Sequence, residues 1–83
     1  MEVQLKAQKM FEELGYKKVD RYENKVSYER ITPAGDEEAI DFPINQGKYP
    51  TFARFYNGKC SYVFVRELKA INQQCKELGW LDD

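Results

Sequence analysis

Between Ile44 and Arg66 the chain carries Lys48, Arg54, Lys59 and Arg66 and no acidic residue. The same stretch holds Tyr49, Phe52, Phe55, Tyr56, Tyr62 and Phe64, half of the chain's aromatic residues. Rings interleaved with cations suit two kinds of ligand. The bases of single-stranded nucleic acid stack on rings while Arg and Lys meet phosphates, and Tyr and Arg are also the anchors that protein interfaces favour. Asn57-Gly58 lies in the middle of the stretch, and it is the pair that a two-residue hairpin turn favours, because both central positions need positive φ. Such a turn sets the register on either side, with Tyr56 opposite Lys59, Phe55 opposite Cys60, Arg54 opposite Ser61 and Ala53 opposite Tyr62. Opposed residues share a face. One face groups Ala53, Phe55, Cys60, Tyr62 and Phe64, an apolar set suited to a core. The other groups Phe52, Arg54, Tyr56, Lys59, Ser61 and Val63 and is expected to be open to solvent. Phe52, Arg54, Tyr56 and Lys59 are therefore the candidate partner-binding residues. The plainer reading is a solvated sheet face on which Tyr and Arg serve strand propensity and cross-strand packing.

The remaining polar residues give little sign of catalysis. Asp36-Glu37-Glu38, with Asp41 nearby, lacks the alternating Asp/Asn and glycine spacing of a calcium loop and reads as a solvated turn. Two cysteines, Cys60 and Cys75, cannot complete a four-ligand zinc site in a chain without histidine. No metal or other cofactor is implied. Each cysteine falls on an apolar face and reads as a small buried hydrophobe rather than a reactive thiol. With no histidine, no Gly-rich phosphate loop and no nucleophile motif, the chain is expected not to be an enzyme, although folding could still bring two carboxylates together.

The elements that must position the hairpin are legible from periodicity. Apolar residues at Val3, Ala7, Met10, Phe11 and Leu14 predict a helix over 2–14, and Leu68, Ile71, Cys75 and Leu78 predict another over 65–78. Both end in Leu-Gly-aromatic, at Leu14-Gly15-Tyr16 and Leu78-Gly79-Trp80. Glycine stops a helix by taking the left-handed conformation, and the next apolar residue folds back over the last turn. Strands are expected over 17–23 and 25–31 around a tight turn at Asn24, then over 39–44, 51–56 and 60–64. The predicted fold is a single α+β domain over 1–83: an N-terminal helix, an antiparallel sheet of four to five strands and a C-terminal helix, with both helices on one sheet face. At 83 residues and 42% hydrophobic content the core must lean on the aromatics, which make up 14% of the chain.

Thirteen basic and 14 acidic residues give a net charge of −1 and are well mixed, which argues against a wholesale polyanion binder or a nucleic-acid mimic. With no signal-like or membrane-spanning segment, a cytoplasmic location is expected. The run Glu67-Leu-Lys-Ala-Ile-Asn72 with Glu77-Leu-Gly-Trp80, and the opening Lys9-Met-Phe-Glu-Glu-Leu-Gly-Tyr16, resemble the ends of small uncharacterised proteins of phages and prophages of Gram-positive bacteria. The resemblance covers about a quarter of the chain and implies the setting of a mobile-element accessory protein, with no catalytic residue to carry over. The element order is also similar to that of the double-stranded-RNA-binding domain, but the last helix lacks that domain's lysine cluster and has only Arg66 and Lys69 nearby. The function expected is a non-catalytic binder of a host or phage protein. The alternatives are a nucleic-acid binder using the same face and a self-associating structural protein.

Overall fold

Helix α1 (Lys6–Glu13) turns Ala7 and Phe11 inward, one helical turn apart. Gly15, at φ 96°, ends it, and the Tyr16 N–H donates back to the Phe11 carbonyl at 3.0 Å. The chain then runs through β1 (Lys17–Val19), β2 (Lys25–Ile31), β3 (Glu37–Pro43), β4 (Ala53–Tyr56) and β5 (Lys59–Cys60). A 3-10 turn (Val65–Glu67) leads into α2 (Leu68–Glu77). The computed structural model describes residues 6–44, 47 and 49–81. Residues 2–5 of the predicted first helix, and Lys48, lie outside the described residues.

The five strands form one antiparallel meander in the order β1-β2-β3-β4-β5. Both helices cover one face of it, and Phe11, Ala70 and Ile71 share a buried cluster with Tyr16, Tyr28, Ile40 and Phe42. The α+β architecture expected from the sequence is the one observed. The centre of the core is aromatic. Phe11 stacks on Tyr28 at 4.1 Å and meets Tyr16 and Phe42 edge-on, and Phe42 in turn meets Phe52 and Trp80. Each fully buried ring of this kind contributes roughly 1.5–3 kcal/mol by leaving water. The buried hydroxyls find partners: Tyr28 donates to Gln74 Oε1 and Tyr16 to Glu67 Oε2, both at 2.6 Å.

The helices are antiparallel. Glu77, at the end of α2, accepts a hydrogen bond from the Ala7 N–H at the start of α1, while Tyr16 beyond the end of α1 meets Glu67 just before α2. A carboxylate at a helix N-terminus satisfies an orphan N–H and suits the helix dipole.

Several local expectations shift. β1 stops at Val19 rather than at 23, and Asn24 is not left-handed; Asn57 is the one non-glycine residue with positive φ among those described. The β1–β2 connection is therefore a wider loop. Of the stripe predicted for the last helix, Ile71 is buried and Cys75 and Leu78 pack against the core, while Leu68 is exposed and Glu67, Ala70 and Gln74 are buried instead. Glu67 and Gln74 fill the inward positions because Arg54, Tyr16 and Tyr28 are there to bond them. Cys60 is exposed and Cys75 half-buried, so the expectation of two buried cysteines fails for Cys60. Among the described residues no helix is long and apolar enough to cross a membrane.

Candidate functional site

The Asn57-Gly58 hairpin forms with the expected register, Phe55 opposite Cys60 and Tyr56 opposite Lys59. Its orientation is the reverse of the sequence expectation. Ile40 lies directly opposite Arg54, and Ile40 is core, so Arg54 faces the helices and is only 3% exposed. Phe52 lies at the margin of the same inward face, stacked at 5.9 Å on Phe42 and still partly exposed. Tyr56 and Lys59 end that face beside Glu38 and are exposed. The four candidate residues therefore do not form an open binding surface. The supposed core partners Phe55, Cys60 and Tyr62 point to the solvent side instead.

Arg54 faces inward because two acids wait for it. Its Nε donates to Glu67 Oε1 at 2.9 Å, its Nη2 meets Glu38 at 3.0 Å, and its Nη1 donates to Ser61 Oγ at 2.9 Å. Glu67, 1% exposed, also accepts from the Tyr16 hydroxyl and the Phe64 N–H. Arg30 completes the cluster. It approaches Glu38 at 2.7 Å in an ion contact without hydrogen-bond alignment, and it donates to the Leu14 carbonyl at the end of α1. Two cations meet two carboxylates, and the charges cancel. Burial works against the Arg54 charge, but the bonds to Glu67 and Glu38 outweigh it and hold the guanidinium more firmly protonated than usual. Burial first, then Glu67, pushes the Tyr16 hydroxyl above the ordinary tyrosine range.

The cluster ends at the surface on one side. The Phe64 ring meets two guanidiniums, Arg54 at 4.4 Å and Arg66 at 5.1 Å, and the Phe64 N–H is bonded to Glu67. The buried charges therefore fix the segment that carries Tyr62, Phe64, Val65 and Leu68, all exposed, with Tyr62 at 91% and Val65 at 81%. Four large apolar side chains within seven residues form the most conspicuous exposed apolar stretch among the described residues, and such patches mark interaction surfaces more often than scattered exposed residues do. Their flanking charges are one-signed. From Cys60 to Ala70 the exposed ionised side chains are Arg66 and Lys69, because Glu67 is turned into the core. Alternation within the strands gave no hint of this stretch. A signal was present in the uncharged run Cys60–Val65, which is too apolar for a simple loop.

The uncovered face of the sheet offers less. It is a broad, shallow depression over Lys17, Val19, Glu29, Ala39, Asp41 and Phe55, and four of its charges serve one another. Arg21 pairs with Glu29 at 3.1 Å, and Asp41 accepts from Lys25 at 2.9 Å and from Ser27 at 2.6 Å. The acidic run divides among three environments. Asp36 accepts from Tyr56 and Asn57, which hold its carboxyl below the usual range; Glu37 is exposed; Glu38 joins the buried cluster. Among the described residues no group of three His, Cys, Asp or Glu side chains is placed to hold a metal ion.

No protein-family model matches the chain, and neither a curated protein nor a solved structure matches it.

Proposed function

We propose that this chain is a non-catalytic protein-binding module whose contact surface is the apolar stretch Tyr62, Phe64, Val65 and Leu68 with its flanking cations Lys59, Arg66 and Lys69. The observation that carries the reading is the exposure of these four side chains on a segment anchored to the core by Arg54 and Glu67. A preorganised apolar patch loses little entropy on binding, and exposed aromatics beside arginine are efficient anchors. The buried cluster supports the same view from another side. Glu38 and Glu67 do come together, but both are bonded to Arg54 and sealed from solvent, so this carboxylate pair is not open to a substrate. The setting we propose is the one the sequence resemblance implies, an accessory protein of a mobile element acting on a host or phage protein.

The nucleic-acid alternative loses its central residue, since Arg54 is buried and neutralised, and retains Lys59, Arg66 and Lys69 on the surface. The test uses Tyr62→Ala/Val65→Ala beside Ile31→Ala, a control at an exposed apolar residue of β2 outside the stretch. Wild type and Ile31→Ala should capture the same protein from host lysate at low and physiological salt. The double variant should lose it, with a thermal midpoint within a few degrees of wild type. Equal capture by all three, or no capture by wild type, refutes the reading. Capture of nucleic acid that disappears with salt replaces it with the alternative.

A further inference from the structure

The Ser61 N–H donates to the Arg54 carbonyl at 2.8 Å, so the ladder of β5 runs one residue beyond the strand itself. Backbone groups of an antiparallel strand alternate in direction, so those of Cys60 and Tyr62 point away from β4. β5 is the last strand of the sheet, so among the described residues no strand meets them there. Among the described residues the hydrogen bond to that backbone is a long one, 3.4 Å, from the Ser61 hydroxyl to the Tyr62 carbonyl. The two edges of the sheet differ. At β1, Lys17, Lys18, Asp20 and Arg21 crowd the edge with charge, the usual guard against strand pairing. At β5, after Lys59, six consecutive residues from Cys60 to Val65 carry no charge.

We infer that this free edge accepts an extended, acidic segment of a partner protein as a sixth strand. The inference rests on the protein-binding reading above and gives it a mode and a partner chemistry. Backbone bonds to Cys60 and Tyr62 supply the pairing, and Tyr62 offers its ring to alternate side chains of the incoming strand. Charge selects the occupant. Lys59 lies in β5, and the exposed ionised side chains that follow it up to Ala70 are Arg66 and Lys69, both cations, so a strand carrying Glu or Asp is complementary. A second copy of the chain would instead bring the same three cations to one seam.

The test is an amide NMR titration of the labelled full chain with three blocked octapeptides. The first alternates glutamate and valine, the second alternates lysine and valine, and the third is the first with its edge-facing amides methylated. The glutamate peptide should shift the amides of Cys60 and Tyr62 and slow their hydrogen exchange. The lysine peptide and the methylated peptide should each bind about tenfold more weakly, the methylated one because it loses its ladder donors. Tyr62→Pro, which removes an outward N–H at an edge position where proline is tolerated, should give a similar loss. Equal binding of the methylated peptide, shifts confined to the face around Phe55, or no binding of the glutamate peptide at millimolar concentration would overturn the inference. So would a dimer, seen by sedimentation, whose formation shifts the same two amides without peptide. If the peptides fail while Tyr62→Ala/Val65→Ala still abolishes capture, the binding surface stands and only the strand pairing goes. If both fail, both go.

Discussion

Replacing Arg54 by Met keeps the length of the side chain and removes its charge, and the two placements of Arg54 predict opposite results. On an exposed sheet face the change would cost about 0.5 kcal/mol or less. In its observed place the guanidinium bonds Glu67 and Glu38, both buried, and its loss leaves Glu67 without a cation and Glu38 with Arg30 alone. Breaking a buried pair from one side costs about 3–5 kcal/mol. A chain of 83 residues has a total stability of roughly 4–12 kcal/mol, so Arg54→Met should remove a large share of it. At about 4–8 °C per kcal/mol for a domain of this size, the thermal midpoint should fall by roughly 20 °C. Urea titrations of wild type, Arg54→Met, Glu67→Gln and the double variant give the coupling between the pair, expected at about 1–3 kcal/mol. The denaturant slope should stay constant across the four proteins. A loss below about 1 kcal/mol in Arg54→Met, or a coupling near zero, would refute the cluster as described.

Alkali should act through Tyr16 and Tyr28, whose ordinary value of 10 is raised on folding, mainly by burial. The folded chain then keeps protons that the unfolded chain releases above pH 10, so their contribution is intact below that pH and falls as pH rises beyond it, by up to about 1.4 kcal/mol per pH unit for each tyrosine. Urea midpoints should be level from about pH 7 to 9 and decline above 10, and the decline should shrink in Tyr28→Phe. Asn57→Ala should cost about 1–2 kcal/mol in urea unfolding, because Asn57 sits at φ 50° and accepts from the Glu37 N–H, while Asn57→Gly, which keeps the backbone at ease, should cost less. Iodoacetamide should label the exposed Cys60 within minutes and Cys75, whose thiol burial pushes up, only slowly until urea unfolds the chain. Equal labelling rates in the native protein would count against the half-buried placement of Cys75.

The features legible in the sequence were those decided by residues close together in the chain. Gly15-Tyr16 and Gly79-Trp80 stop their helices as read, with Trp80 N–H donating to the Cys75 carbonyl at 2.8 Å, and Asn57-Gly58 fixes the hairpin register. The orientation of that hairpin was not legible. Alternation tells which residues share a face but not which face is covered, and an arginine beside tyrosines reads as solvent-facing until a buried acid is supplied. Glu67 supplies it from 13 residues away and Tyr16 orders it from a further element. The expectation of Cys60, Tyr62 and Phe64 on the core face fails for the same reason: nothing nearby in sequence shows that Glu67 and Ala70 take the inward places instead.

The polar ties of the helices carry a further consequence for how the chain is made. Ala7 is joined to Glu77 across 70 residues, Tyr16 to Glu67 across 51 and Tyr28 to Gln74 across 46. The hairpins are local and can close early, but the inner side of the sheet, with Tyr28, Ile40 and Phe42, has no second helix over it until α2 has been synthesised. Long-range closure of this kind is slow, and uncovered apolar surface in the interval invites aggregation. On the ribosome, then, the inner side of the sheet waits for α2 to emerge before it is covered, and a product cut short before α2 would meet the cell's chaperones and proteases rather than its partner.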